Sequence, residues 1–170
     1  MATYRSRWKD IERATFAYGY GFQVTPLQLA AAYQVIASGG IKRELSLVKG
    51  QAGEAHRVMS AKTAQELKVM LARVVDEGTG SRASIADYEV AGKTGTVRKV
   101  GESGYEDTRH MAFFAGMTPV DRPRLVGVVM INEPSGKEYG GGAIAAPVFA
   151  RVMKEALRLL NIPPVEEVTS

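Results

Sequence analysis

The stretch VAGKTGTVRK, residues 90 to 99, carries the side chains of this chain that are best suited to chemistry. If it forms a strand, the hydroxyls of Thr94 and Thr96 share one face. Lys93 and Gly95 then share the other, where the glycine would let a ligand's backbone approach closely. An ammonium and two hydroxyls can hold a carboxylate, and unpaired main-chain N–H groups at a sheet edge can stabilise an oxyanion. The stretch therefore predicts a cleft for a substrate that ends in a carboxylate and presents a carbonyl for attack.

The same residues allow a second interpretation, in which Gly92-Lys93-Thr94 ends a phosphate-binding loop of the form G-x-x-x-x-G-K-[ST]. That loop needs a glycine at position 87, where this chain has Asp, and a helix that opens at the lysine. Residues 97 to 101 are VRKVG, in which β-branched residues and a closing glycine favour a strand. Nucleotide binding by a P-loop therefore stays a remote alternative.

The composition is that of one globular domain, with 170 residues, of which 45% are hydrophobic and 24% are charged. The net charge of +4 permits an anionic partner without requiring one, and no run of basic residues indicates nucleic-acid binding. The absence of cysteine excludes disulfides and thiol chemistry. The longest apolar run, residues 125 to 131, is far shorter than the roughly 20 residues of a membrane span. The first ten residues lack the apolar stretch of a secretory signal, so we expect no export address within the chain.

Ahead of the KTGT stretch the sequence predicts two helices with a strand between them. Thr25-Pro26 suits an N-cap and a first helical position, and Ser38-Gly39-Gly40 would end that helix. Residues 43 to 49 are expected to form a strand. Ser60 would cap the second helix, which ends near Glu77-Gly78. Its expected apolar face consists of Leu67, Met70, Leu71, Val74 and Val75.

From Glu89 onward the pattern predicts three strands, 89 to 100, 110 to 117 and 124 to 132, joined as an antiparallel meander. A polar loop is expected at 101 to 109. The third strand is apolar on both faces, which suggests a place inside the sheet, whereas the strand of Lys93 should lie at the outside.

A last helix is expected to open at Pro147 and to end at Asn161 and the prolines after it. Together these elements give the α+β class.

Five segments in a fixed order carry a resemblance to a known family. They are YGYG at 18 to 21, VTPLQLA at 24 to 30, SGG at 38 to 40, GKTGT at 92 to 96 and AAPVFARVM at 145 to 153. The set resembles the C-terminal half of the penicillin-binding transpeptidase domain, most closely that of the class B septal peptidoglycan D,D-transpeptidases of cell division. It implies the penicillin-binding/serine β-lactamase-like fold, with residues 1–170 as the C-terminal portion of that domain.

The resemblance implies roles for the KTGT residues in serine acyl transfer. Lys93 and Thr96 would be catalytic: the lysine sets the electrostatics of the cleft, and the backbone N–H of Thr96 forms half of the oxyanion hole. The hydroxyls of Thr94 and Thr96 would hold the carboxylate of the substrate or of a β-lactam. Gly95 would lie beside them in the substrate-binding strand.

Two further residues are assigned to substrate binding by the same resemblance. Arg98 lies beyond the motif on the same strand and would approach the ligand. Tyr139, the aromatic residue before the glycine run, would form a wall of the cleft. Relatives often carry a second aromatic residue next, where this chain has Gly140, so we expect a thinner wall.

The other two motifs of the family, S-x-x-K and S-x-N, supply its nucleophile and are expected to be missing here. Ser46-Leu47-Val48-Lys49 is a literal match that we interpret as a decoy, because an odd offset in an extended segment sends the two side chains to opposite faces. Asn132 and Asn161 have no serine two positions before them. We therefore expect the chain to be inactive alone and to need the N-terminal half of the domain.

The resemblance also implies partners and a location for the parent protein. The partners would be peptidoglycan stem peptides ending in D-Ala-D-Ala, β-lactams and divisome proteins, at the periplasmic face of the bacterial inner membrane. No cofactor is implied, and His56 and His110 lack ligand-spaced acidic or sulfur partners for a metal. A non-catalytic module that docks to cell-division proteins is the main alternative.

Overall fold

The structure is a computed structural model that describes residues 9–16, 19, 23–51, 53–101 and 104–164, with the side chains of 16 and 100–108 excepted. The YGYG segment, apart from its first glycine, lies outside the described residues. The elements in chain order are α1 Asp10–Phe16, α2 Pro26–Ala37, β1 Ile41–Arg43, β2 Ala55–Arg57, α3 Ala61–Asp76, a 3-10 turn Ser81–Ala83, β3 Ala91–Gly101, β4 Gly104–Thr118, β5 Leu125–Asn132 and α4 Gly141–Leu159. None of the described helices is long and apolar enough to cross a membrane.

The main sheet is the predicted antiparallel meander, in the order β3-β4-β5, with the strand of Lys93 on its outside. Alternation along β4 divides its side chains between two helical layers. Phe114 faces α4 and packs against Phe149, with ring centroids 4.8 Å apart. Met117 faces the other way and packs with α2 and α3 residues, Tyr33 and Leu71 among them. The sheet is therefore the middle layer of three.

Both N-caps expected from the sequence are confirmed. The hydroxyl of Thr25 accepts from the backbone N–H of Gln28, whose side chain accepts from the backbone of Thr25 in return, which completes a capping box. The hydroxyl of Ser60 accepts from the backbone N–H of Thr63. On α3, Val75 is buried as expected, but Met70 is 61% exposed, so its place on the apolar face was predicted wrongly.

Three of the strand predictions were wrong. The strand expected at 43 to 49 is only Ile41–Arg43, which pairs with Ala55–Arg57, and residues 44 to 51 form a loop. Most of the polar loop expected at 101 to 109 is instead strand, because Gly101 ends β3 and residues 104 to 109 begin β4. The register of the β3–β4 pair shifts between Arg98 and Val100. Backbone pairing needs no apolar side chains, so polar residues can also form a strand pair.

The third error concerns the position of β5, which was expected inside the sheet. Among the described strands β4 is central and β5 lies at the other edge. Its apolar character reflects its two covered faces: Val129 and Ile131 pack on the α4 side, and Val126 on the α2 side. Apolar residues on both faces of a strand indicate that helices cover both faces, but they do not indicate how many strands lie beside it.

We predict that Phe114→Ala lowers the free energy of unfolding by about 3–5 kcal/mol, because the lost ring is fully buried between the sheet and α4. Met130→Ala is the control, since that side chain on β5 is 39% exposed and should cost much less. Urea unfolding followed by circular dichroism measures both. A cost for Phe114→Ala no larger than that of the control would contradict this description of the core.

Candidate active site on the outer strand

The predicted residues of β3 lie on its open side, and they are joined by hydrogen bonds to elements that the sequence did not indicate. The Nζ of Lys93 lies 3.2 Å from the hydroxyl of Thr94 and 3.3 Å from its carbonyl oxygen. The Thr94 hydroxyl is also 2.9 Å from that of Thr79, in the turn after α3. Although alternation places Lys93 and Thr94 on opposite faces, the lysine side chain is long enough for its Nζ to reach the Thr94 hydroxyl. Lysine and two hydroxyls therefore form one cluster.

The hydroxyl of Thr96 contacts the N-terminus of α4. It accepts a hydrogen bond of 3.0 Å from the backbone N–H of Gly141, the first residue of the helix. A Cβ at Gly141 would lie 2.4 Å from the carbonyl oxygen of Phe113 and 2.5 Å from that of Gly95, so only glycine permits this approach. The partial positive charge of a helix N-terminus is thereby added to the charge of Lys93 beside the two threonines. This arrangement suits an anionic ligand group.

The start of α4 corrects the sequence-based expectation, which placed it at Pro147. The helix begins at Gly141 and contains the proline in its interior. Proline has no N–H, so the carbonyl of Ala143, four residues earlier, loses its helical partner. The guanidinium of Arg82 donates to that carbonyl at 3.1 Å instead. The missing helical bond is thus replaced by a side chain from the 3-10 turn.

Tyr139 lies just before the glycine run, as the resemblance implied, and stacks on His110 of β4. Their ring centroids are 4.1 Å apart, with an interplanar angle of 21°. Tyr139 is 50% exposed, whereas His110 is buried. Arg98, the cross-strand partner of His110, is exposed and lies on the same strand as Thr94 and Thr96. No sequence pattern indicates this contact of His110, because its stacking partner lies 29 positions away in the chain.

The role expected for Gly95 needs a correction. A Cβ at this position would lie 1.9 Å from the ring of Phe113, so the side of the strand thought to be open to a ligand is filled. The glycine is required by the packing of Phe113 across the ladder, where the two residues are paired. Only the edge of the strand remains available to a ligand.

Ser46 lies in a loop and not in the strand expected at 43 to 49. Its hydroxyl accepts from the backbone N–H of Val48 at 3.0 Å. No helix starts there that would bring Lys49 onto the face of the serine. A second literal match, Ser6-Arg7-Trp8-Lys9, lies earlier in the chain, and its first three residues lie outside the described part. Within that part, no cluster of three metal-ligating side chains occurs.

Glu133, directly after β5, links all three strands at the end of the sheet near His110. It forms ion pairs with Arg109 of β4, at 2.7 Å, and with Lys99 of β3. Its backbone N–H donates to the carbonyl of His110 at 2.9 Å. Hydrogen bonds from Arg109 and then from Lys99 lower the pKa of Glu133 to about 2.

Comparisons with known proteins agree with this geometry. The model of the penicillin binding protein transpeptidase domain matches residues 2–154. The chain is 44% identical over 164 residues to peptidoglycan D,D-transpeptidase FtsI of Escherichia coli strain K12, covering 94% of this chain and 28% of the relative. It is 37% identical over 166 residues to the probable peptidoglycan D,D-transpeptidase PenA of Neisseria gonorrhoeae, covering 96% and 29%. The chain therefore spans less than a third of the length of these curated relatives.

A solved structure extends the likeness to three dimensions. The apo transpeptidase domain of Burkholderia pseudomallei penicillin-binding protein 3 superimposes with a TM-score of 0.88 at 37% identity. The match covers 98% of this chain and 52% of that one.

We predict that Gly141→Ala destabilises the protein by about 1–3 kcal/mol, because the new methyl group must push α4 away from Phe113 and Gly95. Gly140→Ala is the matched control, since a Cβ there has nothing within 4 Å and the backbone has an ordinary φ of −76°. Thermal unfolding compares the two variants. Equal costs would contradict the close approach of α4 to β3.

We predict a pH dependence that comes from Glu133. Because its pKa is lowered on folding, its contribution to stability is complete above its unfolded pKa and is lost as the pH falls through about 2. The difference in Tm between the wild type and Glu133→Gln should therefore be largest at pH 7 and shrink between about pH 4.5 and 2.

Two controls separate this effect from general acid destabilisation. Added salt should weaken the effect, because the ion pairs are exposed to solvent. Glu155→Gln, which removes an exposed ion pair within α4, should show no such trend across that pH window. A Tm difference between the wild type and Glu133→Gln that stays constant down to pH 2 would show that the pKa of Glu133 is not the source of the effect.

Proposed function

Because this chain belongs to the penicillin-binding protein transpeptidase family, we propose that it is the C-terminal part of a peptidoglycan D,D-transpeptidase that cross-links stem peptides in septal wall synthesis. The observation that carries the proposal is the set of polar groups along β3, in which Lys93 contacts the Thr94 hydroxyl and Thr96 contacts the N-terminus of α4. In this proposal the chain contributes the KTGT wall of the active site. The nucleophilic serine and its lysine come from the N-terminal half of the domain.

The hydrogen bonds of the site indicate how the threonines bind a carboxylate. A hydroxyl has one hydrogen to donate and two lone pairs. Since Thr96 already accepts from the N–H of Gly141, its own hydrogen is available to a ligand. The hydroxyls of Thr94 and Thr79 share one hydrogen bond, which leaves one of their two hydrogens available as well. A substrate or β-lactam carboxylate thus meets two hydroxyl donors and the ammonium of Lys93.

The reaction proceeds by acyl transfer through a serine ester. The serine oxygen attacks the carbonyl between the two D-alanines, the C–N bond breaks, and the terminal D-alanine leaves with a proton on its amine. The amine of a second stem peptide then attacks the ester and releases the serine. The backbone N–H of Thr96 stabilises the oxyanion in both steps, while Lys93 keeps the carboxylate end of the donor peptide in place. A β-lactam enters the same first step, its ring amide being the bond that opens.

Exposed surfaces on both edges of the sheet and on α2 fit a chain that pairs with another segment. The outer edge of β5 has no partner strand among the described residues, and Leu27 of α2 and Val97 of β3 are 65% and 50% exposed. Apolar side chains and open strand edges of this kind favour association. In the proposal the nucleophile-bearing half covers them, and the whole protein acts with divisome partners at the periplasmic face of the inner membrane.

A non-catalytic divisome interaction module remains the second candidate, because the sequence contains no S-x-N motif and its Ser46-x-x-Lys49 match lies in a loop. The nucleotide-binding alternative was wrong. A P-loop needs a helix to open at the lysine, whereas β3 continues as a strand from Ala91 to Gly101.

The test is labelling by a fluorescent penicillin, followed by intact mass, of the chain alone and mixed with the preceding half of the domain. We expect a label only in the mixture, on the serine of the added half. Lys93→Ala should slow labelling of the mixture by about 100-fold, the scale on which loss of one preorganised electrostatic contact is felt. Ser46→Ala and Ser6→Ala should label at the wild-type rate.

The remaining outcomes separate the alternatives. A label on the isolated chain, mapped to Ser46 or Ser6, would make this chain a self-sufficient acyl-enzyme and overturn the proposal. A mixture that assembles into a stable complex but takes no label would favour the interaction module.

A further inference from the structure

One guanidinium contacts both ends of the segment that connects Glu138 to the first turn of α4. Arg82 donates from its two terminal nitrogens to the two carboxylate oxygens of Glu138, at 3.0 and 3.2 Å. The first of these nitrogens also donates to the carbonyl of Ala143 at 3.1 Å. The planar fork of arginine permits this combination, whereas a lysine ammonium has no such geometry. The two contacts lie five positions apart, on either side of the glycine run.

The residues between these contacts are those that bear on the proposed site. Tyr139 forms the aromatic wall against His110, and Gly141 donates to the hydroxyl of Thr96. They belong to a run with three consecutive glycines, 140 to 142, which has more backbone freedom than any other kind of sequence. Its glycines have no side chains with which to hold this conformation, so contacts from other parts of the chain help to order it. Arg82 supplies such contacts at both of its ends.

Arg82 itself is fixed by the fold. It lies in the 3-10 turn Ser81–Ala83, whose last residue, Ala83, is fully buried in the core that includes Phe149 of α4. The turn follows Thr79, which contacts Thr94 and lies against Gly142. The backbone that carries the guanidinium is therefore rigidly placed relative to both β3 and α4.

The ion pair is too exposed to matter much for overall stability. The side chains of Arg82 and Glu138 are 54% and 59% exposed, and ion pairs of this exposure contribute little to the free energy of folding. Its effect is expected on the local order of residues 138 to 143. This difference separates a positioning role from a merely structural one.

We propose that Arg82 is a positioning residue of the transpeptidase site, which holds the segment from Glu138 to Ala143 so that Tyr139 and the Gly141 N–H stay in register with Thr96. The catalytic meaning of this inference rests on the proposed function. The contacts of Arg82 with Glu138 and Ala143 are a property of this chain by itself. Arg82 acts through Tyr139 and Gly141 and touches no reacting atom. Its loss should therefore weaken the binding of the carboxylate-bearing ligand more than it slows the acylation step, since the Thr96 N–H belongs to the sheet.

The first experiment measures hydrogen exchange of individual amides by NMR on the full chain, with and without Arg82→Ala. We expect the Gly141 amide to exchange about tenfold faster or more, because local opening becomes easier while the unfolding temperature stays unchanged. Arg82→Lys keeps the charge but loses the fork and should behave like the alanine variant. Arg158→Ala, which removes an exposed ion pair at the far end of α4, is the control and should leave Gly141 protected.

The second experiment uses the chain mixed with the preceding half of the domain and resolves penicillin acylation into the dissociation constant of the first complex and the rate constant of acylation. Arg82→Ala should raise the dissociation constant about three- to tenfold with a smaller effect on the rate constant, as loss of a positioning contact does. Glu138→Gln, which keeps the shape of its partner, should give a weaker change in the same direction. The double variant Arg82→Ala/Glu138→Ala should be no worse than Arg82→Ala alone.

Each outcome decides the proposal. Unchanged exchange of the Gly141 amide in both Arg82 variants would overturn the proposal that Arg82 orders the segment from Glu138 to Ala143. Wild-type behaviour of Arg82→Lys in both experiments would show that charge alone matters and would also overturn it. If Arg82→Ala fails to fold, Arg82→Lys and Glu138→Gln decide in its place. If the wild-type mixture is not acylated by penicillin, the proposed function fails. The exchange experiment then still tests whether Arg82 orders the segment from Glu138 to Ala143.

Discussion

The whole arrangement depends on the close approach of the N-terminus of α4 to the outer strand. The hydrogen bond from the Gly141 N–H to the Thr96 hydroxyl can form only because Gly141 carries no side chain, since a Cβ there would lie 2.4 Å from the carbonyl oxygen of Phe113 and 2.5 Å from that of Gly95. This contact orients the Thr96 hydroxyl, adds the positive end of a helix dipole to the cluster of Lys93, and brings Tyr139 to one end of the strand. Were α4 to shift outward by the width of a methyl group, these three consequences would be lost together.

The buried core makes that approach stable. Phe114 on the central strand and Phe149 on α4 pack with their rings tilted by 59° and fix the distance between sheet and helix. The open side of β3 can remain polar because the neighbouring strand supplies the apolar contacts. The two strands therefore have different roles. The side chains of β4 pack against the helices on both sides, and β3 presents polar groups to a ligand along its outer edge. The likeness to solved transpeptidase domains, with a TM-score of 0.88, extends over this whole framework.

The sequence predicted three of the four described α-helices, the meander and the outer position of the KTGT strand, because capping residues and apolar periodicity are local signals, whereas α1 at Asp10–Phe16 was missed. It failed where two distant parts of the chain decide the outcome. The start of α4 was misplaced at Pro147, since the contact of Arg82 with Ala143 that compensates the proline joins residues 61 positions apart. Thr79 and His110 were missed for the same reason. Gly95 was assigned to ligand approach, because no local pattern shows that the ring of Phe113 fills its side of the strand.

The most direct test of the central claim is a crystal structure of the chain assembled with the preceding half of its domain and acylated by a penicillin. We predict that the penicillin carboxylate lies within hydrogen-bond distance of the hydroxyls of Thr94 and Thr96, with Lys93 beside it and the acyl carbonyl oxygen facing the Thr96 N–H. A carboxylate bound away from both threonines, for example between Arg98 and His110, would contradict the assignment of this strand as the carboxylate-binding wall.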